Sequence, residues 1–218
     1  MYSFIDYTWN VIKGHCYHDC SYCYMKRWGN LNPVRFDEKE LKTDLGTGDF
    51  IFIGSSCDMF AQDIPSTWIT RIFQFLITQK ERGSTNRYLF QSKNPKRFHE
   101  FKEFLNELNP ILVTTIETNR IYPEIMNNAP SPTERAEAVS KLSQDVFITI
   151  EPIMDFDLAG FVELIRIANP VQVNIGNDTG RNGLPEPSKE KVIKLIEALG
   201  KFTTVHNKAN LKRILETN

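Results

Sequence analysis

The sequence predicts an α/β protein, an open (βα)6 partial barrel of six parallel strands with helices around them. Three observations predict it. Short, wholly apolar runs such as FIFI at residues 50–53 and VFITI at 146–150 suit strands buried on both faces of a parallel sheet. Stretches with apolar residues at helical spacing separate them, so strands and helices alternate as in βα units. The chain has 218 residues, whereas a closed eightfold barrel typically needs about 250. A flat doubly wound sheet is the alternative. The whole length, 1–218, reads as one domain.

Taken in order, residues 7–13 (YTWNVIK) are β-formers stopped by Gly14 and predict the first strand. A loop with three cysteines follows. A short helix is expected to begin at Met25–Trp28, and residues 37–44 are a second helical stretch in a polar, turn-rich segment. After the strand at 50–53, Pro65 and Ser66 open a helix that aligns Trp68, Ile72, Phe75 and Leu76 and ends near Gly83. Residues 87–90 predict a strand, 95–108 a helix, and 111–116 a strand. Ser131, Pro132 and Glu134 have the spacing of a capping box with proline in the first turn, so a helix is expected from there to about Ser143. Then come a strand at 146–150, a helix at 158–168, a strand at 171–175 and a helix at 188–199 before Gly200. A last short strand at 202–205 and a helix at 208–216 complete the pattern.

Composition narrows the function classes. The chain is 41% hydrophobic and 24% charged, with a formal net charge of -1, so no global basic field recruits nucleic acid. No run approaches the 18 or more apolar residues of a membrane span. The opening MYSFIDYTWN lacks a basic region followed by an apolar stretch, so no signal peptide is expected and the expected location is cytoplasmic. Of four cysteines, three are clustered, which favours metal ligation in a reducing compartment over a disulfide framework.

Those three are Cys16, Cys20 and Cys23, in the stretch CYHDCSYCY with Tyr22 before the last. Thiolates at C-x3-C-x2-C spacing can converge on one centre, and soft sulfur suits zinc or iron–sulfur clusters. A structural zinc site needs four ligands. His15 or His18 would supply the fourth in a zinc knuckle, and the protein would then be a nucleic-acid-binding module without catalysis.

The other reading comes from resemblance. C-x3-C-x-aromatic-C resembles the signature of the radical S-adenosylmethionine (SAM) enzymes. That likeness implies a four-iron–four-sulfur (4Fe-4S) cluster held by Cys16, Cys20 and Cys23. SAM would chelate the open iron and be cleaved reductively to a 5′-deoxyadenosyl radical. A partial TIM-like barrel and an external flavodoxin- or ferredoxin-like electron donor are implied too. Further segments resemble a phage-associated radical SAM family of unknown function, distantly similar to spore photoproduct lyase. They are Cys57-Asp58-Met59-Phe60 with Asp63-Ile64-Pro65, the tract FQSKNPKRF, Thr115-Ile116-Glu117, Ile150-Glu151-Pro152, and the glycines Gly176 and Gly180. Cys57 stands where that family has serine. The kinship implies a nucleobase or nucleotide substrate, free or in nucleic acid. Lys26, Arg27, Arg35, Lys93, Lys96 and Arg97 are candidates for a phosphate path. A SAM-binding subunit without turnover is a third reading.

Every predicted strand ends in polar residues, and in α/β barrels the site lies at the carboxyl ends of the strands. Ser55 and Ser56 resemble the segment that contacts the SAM amino group. Ser92 or Lys93 is expected to hold its carboxylate, and Glu117 and Asn119 its ribose. Tyr22 and Tyr24 would border the adenine, and Glu151 joins the cofactor set. Cys57 is the catalytic candidate, as a thiol that returns a hydrogen atom to a product radical, provided its sulfur faces the site.

Overall fold

The computed structural model describes residues 2–216. Its strands are β1 (Tyr7–Trp9), β2 (Ile12–Lys13), β3 (Arg35–Phe36), β4 (Phe50–Ile53), β5 (Arg87–Gln91), β6 (Ile111–Thr115), β7 (Val146–Ile150), β8 (Gln172–Ile175) and β9 (Thr204–Asn207). Its helices are α1 (Ser66–Glu81), α2 (Lys102–Leu108), α3 (Pro123–Met126), α4 (Pro132–Val139), α5 (Leu158–Ala168), α6 (Lys189–Leu199) and α7 (Lys212–Leu215). Seven strands form one sheet in the order β1-β4-β5-β6-β7-β8-β9, and every neighbouring pair is parallel. β1 and β9 are its edges, so the barrel is open. The expected architecture is the observed one, with β9 as a full seventh member.

Alternation along the strands divides the core. Ile51, Ile53, Tyr88, Phe90 and Leu112 pack outward with α1 and α2 residues such as Phe73, Leu76 and Leu105. Ile148, Ile150, Val173 and Ile175 pack outward with Phe161, Leu164, Val192 and Leu195. The opposite face holds Phe50, Leu89, Ile111, Val113 and Phe147, and the first residues of the chain, Tyr2 and Ile5, fill the space against them. One step further along the strands this inner face turns polar. Thr115 lies opposite Thr149, Thr149 opposite Asn174, and Asn174 opposite His206. The Tyr2 hydroxyl meets Thr149 Oγ1 at 2.5 Å and donates to Gln91 Oε1 at 2.9 Å. The lumen is therefore apolar at its base and hydrogen-bonding below the rim.

Several elements depart from expectation. The first strand stops at Trp9, because the Asn10 side chain turns to bind the Ser55 hydroxyl at 3.2 Å and the Ser56 N–H at 2.9 Å. Ile12–Lys13 leaves the sheet and pairs antiparallel with Arg35–Phe36. Gly14 follows at φ +116°, and a Cβ there would stand 2.5 Å from the Pro33 carbonyl, so only glycine leads this hairpin into the cysteine loop. The helix expected at 95–108 begins as a 3-10 turn, Pro95–Phe101, and the one at 208–216 likewise at Ala209–Leu211. α4 ends at Val139 rather than Ser143, and α3 was not expected.

The capping box is present. Ser131 Oγ accepts from the Glu134 N–H at 3.2 Å, and Glu134 Oε2 accepts from the Ser131 N–H at 2.8 Å. Ser131→Ala is expected to cost about 1 kcal/mol, read as a lower urea midpoint with unchanged m-value.

Candidate functional site

The cysteine loop follows β1 and the β2 turn, at the carboxyl end of the sheet. All four cysteines are free thiols. Cys16 is half-buried and packs against the core cluster that includes Cys57. Cys20 is buried, with Sγ 3.8 Å from the Met126 carbonyl. Among the described residues no three Cys, His, Asp or Glu side chains converge as a metal-binding set. In donor chemistry the loop still fits an iron–sulfur cluster: three soft sulfurs lie within eight residues, none committed to a disulfide. Cys20 would have to turn from the Met126 carbonyl for the three to share one centre.

Two buried polar clusters brace the loop. In the first, Asp58 Oδ2 receives His18 Nε2 at 2.8 Å, Ser92 Oγ at 2.9 Å and the Lys93 N–H at 2.8 Å, while Oδ1 accepts the Phe60 N–H at 2.9 Å. Burial alone would raise the Asp58 pKa, but His18 and the two backbone N–H groups hold it below the usual carboxylate range. One carboxylate thus links the cysteine loop to the ends of β4 and β5.

In the second cluster, Glu117 is fully buried just past β6. Arg135 Nη1 donates to Glu117 Oε2 at 2.8 Å and to the Thr115 carbonyl at 2.7 Å. Lys93 Nζ lies 3.1 Å from Glu117 Oε1, which also accepts the Tyr22 hydroxyl. Burial favours the neutral acid, yet the Arg135 and Lys93 charges win and hold the Glu117 carboxyl far below its ordinary pKa. Lys93 Nζ also stands 5.1 Å from the Tyr22 ring centroid.

A third support is α3. Ser21 N–H donates to the Ile125 carbonyl at 2.9 Å, Asn127 Nδ2 to Asp19 O at 2.5 Å and Asn128 Nδ2 to Tyr17 O at 2.9 Å. Ile125, Met126 and Met154 pack beneath Tyr22, Tyr122 and Leu184.

The sequence-predicted residues therefore separate into groups. Tyr22, Lys93 and Glu117 come together, with Ser92 adjoining through Asp58. Tyr24 is tied to the second strand end by its hydroxyl, which donates to Ser55 O at 2.8 Å. Asn119 is not on this centre. It pairs with the backbone of Asp157 at the start of α5, through Nδ2 at 3.3 Å and Oδ1 at 3.0 Å, so its amide is engaged at that helix entry. Glu117 is not free for a ribose either, because both its oxygens are taken. Glu151 is held by Lys208 and by Asn210 Nδ2 at 2.6 Å, and a Cβ on Gly176 would lie 2.6 Å from its Oε1. The reading of Cys57 as a hydrogen-atom donor required a sulfur facing the site. Cys57 is 2% exposed and belongs to the outer core cluster, so the structure gives that role no support.

Sequence reasoning missed Arg135, which looks like an ordinary mid-helix arginine after the capping box, and Lys208 and Asn210 beyond the last strand. Asp58 was visible in its segment but carried no role. His18 gives Nε2 to Asp58, and exposed His15 lies 3.4 Å from Asp19, so neither ring sits among the cysteines as a zinc ligand. Asn174 Nδ2 and Asn177 Oδ1, at the end of β8, are buried without a partner, which suits a polar ligand there, and so is Arg135 Nη2 on α4. A cleft of about 620 Å³ beside α1, lined by Asp63, Ser66, Asn94, Lys96, Arg97 and Glu100, contains none of the predicted site residues except the phosphate-path candidates Lys96 and Arg97. Arg97 there is already bound to the Ala61 and Ile64 carbonyls.

No protein-family model matches the sequence, and no curated protein matches it. Solved structures do. A cysteine-to-serine variant of spore photoproduct lyase superposes with TM-score 0.67 at 13% identity, over 95% of this chain and 78% of that one. A spore photoproduct lyase variant with bound AdoMet and dinucleoside spore photoproduct gives TM-score 0.54 at 14% identity, over 89% of this chain and 61% of that one. Native anSMEcpe with bound AdoMet and a peptide gives TM-score 0.58 at 9% identity, over 91% of this chain and 62% of that one. The chain shares with these structures the fold of an open, partial TIM-like barrel, and it spans less than two thirds of the length of the latter two.

Proposed function

We propose that this chain is a radical SAM enzyme that modifies, isomerises or repairs a nucleobase or nucleotide. The observation that carries the reading is the placement of three free thiols at C-x3-C-x2-C spacing, in the loop that follows β1 and β2 of an open parallel barrel of this fold. Cys16, Cys20 and Cys23 would hold a 4Fe-4S cluster and leave one iron for SAM. The bound pair would supply one-electron chemistry able to open a substrate C–H bond.

The protein's own part is to bind, orient and exclude water. Lys93, anchored by Glu117, presents a cation beside Tyr22 for the methionine carboxylate. Ser55 and Ser56 sit at the second strand end, where Tyr24 fixes the Ser55 carbonyl, and they suit the amino group. Tyr22 and Tyr24 border the adenine. Glu117 acts as a positioning residue, and Glu151 orients Lys208 and Asn210 across the β7–β8 side of the lumen. The Tyr22, Ile125, Met126 and Met154 cluster keeps the cysteine side dry. The nucleobase assignment is supported by the fold shared with a lyase whose structures hold a dinucleoside photoproduct. The segment around Asp58 supports a place near the phage-associated family. A flavodoxin- or ferredoxin-like donor would deliver the electron.

Anaerobic reconstitution tests this reading. The expected result is a brown protein with about four irons per chain that converts SAM to 5′-deoxyadenosine under dithionite. One zinc and no colour would replace it with the zinc-knuckle module. Iron with SAM binding but no cleavage would support the non-catalytic subunit.

A further inference from the structure

We propose that the turn Tyr24–Trp28 is a stacking platform for the bases of a single-stranded nucleic acid, presented directly beside the cysteine loop. None of the residues of this turn is buried, so the core does not depend on its side chains. Trp28 is 71% exposed and Tyr24 51%, and Trp28 is the most exposed of the large hydrophobic side chains among the described residues. An indole left in water contributes little to the core, so its surface is available to a ligand.

The arrangement is specific. The Arg27 guanidinium stands 5.5 Å from the Tyr24 ring centroid and 5.6 Å from that of Trp28. Phenol, guanidinium and indole therefore form one compact group of flat faces. Its inner end is fixed, because the Tyr24 hydroxyl is bound to Ser55 O at the second strand end. Its outer end is the free indole.

Charge selects the partner. Residues 24–35 (YMKRWGNLNPVR) contain Lys26, Arg27 and Arg35 and no acidic residue. Lys26 is paired with Asp19 at 2.7 Å, so among the described residues Arg27 and Arg35 carry the charge that no carboxylate answers. Flat aromatic faces with interleaved cations match the alternation of base and phosphate along a single strand. An acidic protein would answer the charge but leave the stacked faces unused. The proposal rests on the nucleobase reading above for its biological purpose, but it concerns binding alone and is measured without turnover.

The test uses the full chain, reconstituted anaerobically, and a fluorescein-labelled dodecathymidylate read by anisotropy at fixed low salt. Trp28→Ala is expected to weaken binding roughly 5- to 150-fold, as for loss of one aromatic–base stack, with little change in the salt slope. Trp28→Phe should restore most of the affinity, which separates stacking from a folding defect. Arg27→Ala should weaken binding and also flatten the salt dependence. Unchanged affinity in Trp28→Ala would overturn the proposal. So would binding that depends only on salt, or a blunt duplex bound as tightly as the single strand. If Trp28→Ala binds normally while SAM is cleaved, the platform fails and the enzyme reading stands. If SAM is never cleaved but Trp28 governs binding, the reverse holds.

Discussion

Alanine at any one of Cys16, Cys20 or Cys23 is expected to abolish the iron–sulfur absorbance of the reconstituted protein and, with it, 5′-deoxyadenosine formation. The effect should be all-or-none because the ligand set has no reserve. A four-iron cluster needs three protein sulfurs if its fourth iron is to stay open, and the nearest other thiol, Cys57, is in the core behind Cys16. Cys57→Ala and His15→Ala should both retain iron. A triple alanine variant that still cleaves SAM under dithionite would defeat the central assignment. Loss of iron from His15→Ala alone would instead place a histidine among the ligands.

The second large effect belongs to Glu117. Its removal leaves Arg135 buried with a charge and no counterion, and breaking a buried pair from one side costs about 3–5 kcal/mol. Glu134→Ala removes only half of a capping box and should cost about 1 kcal/mol. Glu117→Ala should also free Lys93 from its anchor and weaken SAM binding roughly tenfold to more than a hundredfold, the worth of a hydrogen bond to a charged group. Equal denaturation midpoints and equal SAM affinities for the two variants would remove Glu117 from both roles. A pH dependence follows. The folded carboxyl titrates below its unfolded counterpart, so the native state binds fewer protons in acid. Its stabilisation is complete above the unfolded carboxylate range, near pH ~4.3, and fades as pH falls through that range toward the folded pKa. Glu117→Gln should flatten the stability profile on that acid limb, measured by urea midpoints across pH.

Much of this architecture was legible because strand and helix signals agree locally. FIFI is bounded by Asp49 and Gly54 and became β4 residue for residue, and the LAGFVELIRIA stretch is α5. Legibility failed where tertiary contacts decide. Asn10 reads as one more residue of a β run, yet its amide is recruited by Ser55 and Ser56, and the strand ends there. PEIM is too short to announce a helix; it exists because the cysteine loop binds its carbonyls and asparagines. In the site, the cysteine spacing was readable from local sequence alone. The fate of Glu117 was not, since its partners Tyr22, Lys93 and Arg135 come from three distant segments. A side chain's availability for a ligand depends on what else reaches it, and spacing does not encode that.

The clasp between α3 and the cysteine loop sets a timetable for biogenesis. The bonds from Cys20 to Met126, Asn127 to Asp19 and Asn128 to Tyr17 span 106, 108 and 111 residues. During synthesis, the cysteines leave the ribosome long before their brace does. At ~5–20 residues per second, that lag lasts roughly 5 to 20 seconds, during which three adjacent thiols are borne on an unpinned loop. On the cluster reading proposed above, iron delivery would be a post-translational event that waits for β6 and α3, and premature oxidation of the nascent thiols would be the hazard that a reducing compartment or an escorting factor has to suppress.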